Sequence, residues 1–105
     1  TIEFFAPQTP ERFAELAAFV GYPNDGDEKA ARAFANQIRD LCRKVGNPTS
    51  VAEAGIQRKA YEGQLDKLVD DAFNDTQMFT CVRSATLEEM RQLFLYAYDG
   101  RPVDF

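Results

Sequence analysis

The sequence predicts an all-α domain, a helical bundle of four to five helices, and three observations carry that prediction. Apolar residues recur at three- and four-residue spacing through four separate stretches. Helix-start and helix-stop residues bracket most of those stretches, as Thr9-Pro10 and Gly21 do for the first and Thr86 and Gly100 for the last. The composition, 45% apolar and 28% charged over 105 residues, is globular. A chain of this length makes one domain by size, with a core that buries roughly 65% of the unfolded surface.

The opening "TIEFF" reads as a short strand or as the last turn of a helix that begins earlier. In "TPERFAELAAFVG", Thr9 takes the N-cap, Pro10 the first helical position and Gly21 the stop. Phe13, Leu16, Ala17 and Val20 fall on one face of that helix. "YPNDGD" is turn chemistry. Asn24, Asp25 and Asp27 hint at a calcium loop, but position 12 counted from Asp25 is Asn36, where the EF-hand needs a bidentate Glu. The longest helix is expected from about Glu28 to Val45, capped by Asp27 and stopped by Gly46. Ala31, Phe34, Ala35, Ile38, Leu41, Cys42 and Val45 form its apolar stripe. Arg39, Arg43 and Lys44 near its end suit the negative pole of the helix dipole.

"VGNPTSVAEAGI" reads as a joint rather than a ligand loop. Gly46 stops one helix, Pro48 prevents its resumption, and Ser50 with Glu53 forms a capping box for about one helical turn ended by Gly55. A helix is expected from about Lys59 to Phe73, with Tyr61, Leu65, Leu68, Val69 and Ala72 inward. Gly63 inside it suggests close packing, since glycine costs about 1 kcal/mol there. Asp66, Asp70 and Asp71 read as a solvated face rather than paired catalytic carboxyls. Residues 74–85, "NDTQMFTCVRSA", form the one irregular segment longer than a turn, and they are where a ligand is to be sought first. Thr86 and Glu89 form a capping box for the final helix, whose core face is Leu87, Met90, Leu93, Phe94, Ala97 and Tyr98. Val103 and Phe105 are apolar enough to dock back.

The chain carries little equipment for chemistry. It has no histidine, which removes the commonest general base and metal ligand together. Its six glycines stand singly, so neither a dinucleotide nor a phosphate loop is present. A net charge of −5 disfavours nucleic acid and anionic membrane as partners, and no apolar run approaches the roughly 20 residues of a membrane span. Cys42 and Cys81 read as reduced thiols of a cytoplasmic protein, Cys42 lying in phase with its helix's apolar stripe. The start at Thr1 without a methionine suggests an excised piece of a longer chain.

The order of elements nevertheless resembles a known family. Gly46 with Pro48, Glu53 with Gly55 and Ile56, Ala72 with Asp75, and Thr86 with Glu89 stand in the order and at the gaps found at the C-terminal end of iron-containing alcohol dehydrogenases. The alcohol dehydrogenase half of bifunctional aldehyde–alcohol dehydrogenases is similar over about Phe13 to Arg101. The resemblance implies the helical C-terminal domain of the dehydroquinate synthase-like, iron-type alcohol dehydrogenase fold, with residues 1–105 a single all-helical subdomain of a longer enzyme. It implies a parent that moves hydride between NAD(P)H and a small aldehyde or alcohol. There an iron or zinc ion, held by one Asp and three His upstream of this segment, polarises the substrate oxygen. It also implies that this segment holds no catalytic residue, cofactor or metal of its own, and that its partner is the rest of the dehydrogenase: the nucleotide-binding domain and the metal-ligand helices.

Within the resemblance, Gln77 falls at a substrate-pocket position, with Phe79 beside it as a second wall residue. Gln77 to Thr80 replace the family's small and glycine residues, and Cys81-Val82-Arg83 stands where Asn-Pro-Arg is usual, so the loop is divergent. The segment by itself is expected to be inert. The alternative is a stand-alone helical module that binds a protein partner through exposed apolar surface. An upstream reading frame carrying a Gly-rich βα segment and three spaced histidines separates the first reading from the second.

Overall fold

The computed structural model describes residues 1–23 and 26–105. The calcium-loop residues Asn24 and Asp25 lie outside them. Among the described residues there are five helices: α1 (Ile2–Phe5), α2 (Pro10–Phe19), α3 (Asp27–Lys44), α4 (Arg58–Phe73) and α5 (Leu87–Asp99), with a 3-10 turn at Thr76–Thr80. No strand occurs among those residues, so the fold is all-α. "TIEFF" is helical, not extended. The chain forms two compact units, Thr1–Asn47 with Asp104–Phe105, and Pro48–Val103. The boundary falls in the segment read as a joint.

In the first unit α2 and α3 pack through small side chains. Ala14 and Ala17 on α2 and Ala30, Ala31 and Ala35 on α3 are buried, which lets the helices approach closely. This corrects the expected α2 face. Phe13 is only half-buried and Leu16 and Val20 are about half exposed, while Ala14 and Ala17 are the α2 residues sealed from solvent. The α3 stripe is likewise sealed only in its first half, while Leu41 and Val45 stay exposed. Gly26, at φ +117°, is the N-cap of α3 rather than Asp27, whose carboxylate instead sits in the first turn at the positive end of the dipole. Thr9 holds the N-cap position of α2, although its hydroxyl makes no capping bond. Arg39 of α3 pairs with Glu3 of α1. Phe4 is buried and meets Phe5 and Phe105 edge-on, at centroid distances of 5.5 and 6.1 Å.

In the second unit α4 packs on α5. Leu65 and Val69 of α4 and Met90 and Tyr98 of α5 are buried, whereas Leu87 is exposed, as is Ala97. Tyr61 stacks obliquely on Tyr98 at 5.0 Å and donates its hydroxyl to the Phe94 carbonyl at 2.9 Å. Arg58 lies 4.5 Å from the Tyr98 ring centre and pairs with Glu62 and Asp99. A methyl group added at Gly63 would meet nothing within 4 Å, so close packing does not explain that glycine.

Residues 51–55 make the single turn expected: the Ala54 amide donates to the Ser50 carbonyl at 3.2 Å, and Gly55, at φ +87°, ends it with the Ile56 amide on the Val51 carbonyl at 3.4 Å. The Glu53 amide does bond the Ser50 hydroxyl at 3.0 Å, but the Glu53 carboxylate reaches back to the Thr49 amide and hydroxyl instead of to Ser50. What holds this segment is the end of α5. The Val51 and Ala52 amides donate to the carbonyls of Ala97 and Tyr98, which the helix itself leaves unpaired. The Tyr98 hydroxyl returns a bond to the Ile56 carbonyl at 2.8 Å.

Candidate functional site

The candidate site is the 74–85 loop, and its shape follows from capping chemistry at both ends. α4 closes at Asn74, whose side-chain amide donates to the Asp70 carbonyl at 2.9 Å and to its carboxylate at 3.1 Å. Asp75 then adopts an extended backbone and accepts the Gln77 amide on its carboxylate at 2.7 Å, which starts the 3-10 turn. The Gln77 carbonyl takes the Thr80 hydroxyl at 2.9 Å and the Cys81 thiol at 3.4 Å. The backbone of Gln77 is therefore fixed on both sides while its side chain stands exposed. Phe79 is 89% exposed on the same turn, and Met78 between them is half-buried.

The far end of the loop is tied to α5. Thr86 and Glu89 form a reciprocal capping box: the Glu89 amide donates to the Thr86 hydroxyl at 3.1 Å, and the Thr86 amide donates to Glu89 Oε2 at 2.8 Å. Glu89 Oε1 accepts from Arg83 Nη2 at 2.8 Å. One carboxylate thus serves the helix with one oxygen and the loop with the other. The Thr86 amide first, and the Arg83 guanidinium second, hold the Glu89 carboxyl below its ordinary range. The ion pair is partly shielded, with 18% of the Arg83 side chain exposed.

Gln77 and Phe79, the two residues singled out from sequence, share one 3-10 turn. At three residues per turn, positions i and i+2 point about 120° apart, so they present two faces of one crest rather than one surface. A shallow recess between α4 and α5 is lined by Asp66, Val69, Asp70, Leu87, Glu88 and Arg91, and neither Gln77 nor Phe79 is among them. Sequence reasoning placed Asp75 and Arg83 by their position in the family pattern but missed the bonds they make here, Asp75 to the Gln77 amide and Arg83 to Glu89. The first bond carried a legible signal, an Asp two residues ahead of an amide it can cap; the second pairs residues six apart, and the Arg retained from the Asn-Pro-Arg pattern did not name its partner.

Among the described residues the donor set does not fit a metal. The chain has no histidine, and among the described residues no three His, Cys, Asp or Glu side chains gather as a metal site requires. Both cysteines are free thiols. Among the described residues no helix is long and apolar enough to cross a membrane.

The model of the C-terminal region of the Fe-containing alcohol dehydrogenase family matches residues 1–98. The chain belongs to the iron-containing alcohol dehydrogenases. The bifunctional aldehyde-alcohol dehydrogenase AdhE of Escherichia coli strain K12 is 33% identical over 101 residues, covering 94% of this chain and 11% of AdhE. The NADPH-dependent butanol dehydrogenase of Clostridium saccharobutylicum is 26% identical over 104 residues, covering 99% of this chain and 27% of that enzyme. An aldehyde-alcohol dehydrogenase of Clostridium acetobutylicum is 23% identical over 96 residues, covering 91% of this chain and 11% of that protein. The chain therefore spans between about a tenth and about a quarter of the length of these relatives.

Proposed function

We propose that this chain is the C-terminal helical segment of a metal-dependent, NAD(P)-linked alcohol and aldehyde oxidoreductase, in which it packs beside the metal and substrate site. The observation that carries the reading is the family match over residues 1–98, joined to relatives that are roughly four to nine times longer. The chemistry of hydride transfer then resides in the rest of the parent protein: its nucleotide-binding domain supplies NAD(P) and its ligand helices hold iron or zinc. This segment contributes a wall. Gln77 and Phe79 line the pocket for a small alcohol or aldehyde, the amide offering hydrogen bonds and the ring an apolar surface. The free thiols of Cys42 and Cys81 support a cytoplasmic setting.

The isolated 105-residue chain is inert on this reading. A dehydrogenase assay with NADH or NADPH, an aldehyde and added iron or zinc is expected to give no turnover, and turnover would overturn the assignment. The second test is genetic. A reading frame upstream of Thr1 is expected to encode a Gly-rich βα segment and three spaced histidines; a start codon directly before Thr1 favours the stand-alone interaction module instead.

A further inference from the structure

We propose that Arg83 is a positioning residue for the substrate pocket, setting the presentation of Gln77 and Phe79 without touching substrate itself. The inference rests on the pocket reading above and adds to it the means by which the wall is held. Phe79 has almost no packing of its own: at 89% exposed, its ring does not anchor the turn that carries it. The half-buried Met78 and the two ends of the turn hold it instead. At the near end Asp75 receives the Gln77 amide, a local bond within the loop. At the far end the covalent path to α5 runs through residues 81–86, and one side-chain tie across that path is Arg83 Nη2 to Glu89 Oε1 at 2.8 Å.

The partner is itself immobilised. Glu89 sits in the first turn of α5, and its other oxygen accepts the Thr86 amide, so its carboxylate has one orientation in which both bonds are made. Arg83 is bound to a fixed point on a regular helix, not to a freely rotating side chain. Partial burial of the pair reduces screening by water. The neighbouring Cys81 thiol and Thr80 hydroxyl both close onto the Gln77 carbonyl, which makes residues 77–81 a small rigid body. A tie at residue 83 therefore steers the whole crest rather than a single residue.

Two variants separate the ion pair from the cap. Glu89→Gln keeps a side chain that can complete a capping box but has no charge for Arg83. Arg83→Gln removes the cation and leaves the box alone. Hydrogen–deuterium exchange of the peptide covering 74–85, measured on the protein at its full natural length, is expected to quicken about tenfold in both, while a peptide covering 61–72 is unchanged. Arg83→Lys is expected to restore most of the protection. The alcohol KM is expected to rise about tenfold in Arg83→Gln with a much smaller change in kcat, and this effect is expected to vanish in a background carrying both Gln77→Ala and Phe79→Ala. An unchanged 74–85 peptide, or an equal opening of 61–72, overturns the positioning role. A loosened loop with an unmoved KM leaves Arg83 as the tether and overturns the pocket reading instead.

Discussion

Gly63 and Gly100 both serve helices of the second unit, and the structure gives them opposite roles. Gly63 lies within α4 with ordinary helical geometry and open space where a methyl would go. Gly63→Ala is therefore expected to stabilise the chain by about 1 kcal/mol, read as a higher urea midpoint with an unchanged slope. Gly100 ends α5 at φ +67°, and an added Cβ would stand 3.0 Å from Ser50 Cβ and 3.4 Å from the Thr49 carbonyl oxygen. Gly100→Ala is expected to cost at least about 1–2 kcal/mol, because the left-handed backbone penalty comes first and the contact with the joint adds to it. The two substitutions, made singly and read by the same denaturation, must move in opposite directions. Sequence alone identified Gly100 as a stop, since Pro102 follows closely. It misread Gly63, because an isolated glycine looks the same whether a neighbour crowds it or nothing does.

At the scale of elements, what was legible was what capping and periodicity encode locally. The Thr86–Glu89 box formed as expected, because both partners lie within one turn and need no tertiary context. The Ser50–Glu53 box did not complete, because Thr49 offers the same carboxylate a closer amide and the segment pairs with the end of α5 instead. The α2 face was misplaced by about one residue, since periodicity ranks large apolar side chains above alanine while close helix packing selects alanine. In the candidate loop Gln77 and Phe79 were singled out through the resemblance, and the structure puts both on one 3-10 turn, whereas the bond from Arg83 to Glu89 depended on a pairing across six residues. The capping box carries its own prediction. Thr86→Ala is expected to lower stability by about 1 kcal/mol at neutral pH. Glu89 has a carboxyl pKa held below its unfolded value of about 4.3, so its contribution is present above that pH and is lost as pH falls through the folded value. Wild type is therefore expected to lose stability below about pH 4.3 more steeply than Glu89→Gln, with both followed by helical circular dichroism across an acid titration. Equal acid slopes would remove Glu89 from the account.

For the molecule as a whole, the balance between buried and exposed apolar side chains bears on what the chain is for. Alanines dominate the sealed positions of the first unit, and among the described residues no large side chain is completely buried. Meanwhile Phe19 and Phe79 are each 89% exposed, and Leu41 and Val45 are more than half exposed. Single exposed apolar residues are ordinary, but two nearly bare phenyl rings in 105 residues are surface that a neighbour stabilises by covering. Relatives in which this segment is 11% to 27% of the chain have ample protein to supply that neighbour. The isolated chain is accordingly expected to bind a hydrophobic dye and to self-associate as concentration rises. The same segment inside the full-length protein should do neither. Fluorescence of the dye and sedimentation velocity, run on both, check this, and Phe19→Ser with Phe79→Ser should reduce the dye signal of the isolated chain without changing its helix content. A monomeric isolated chain that ignores the dye would mean that these rings need no cover, and the reading of the chain as a flank of a larger enzyme would fall with them.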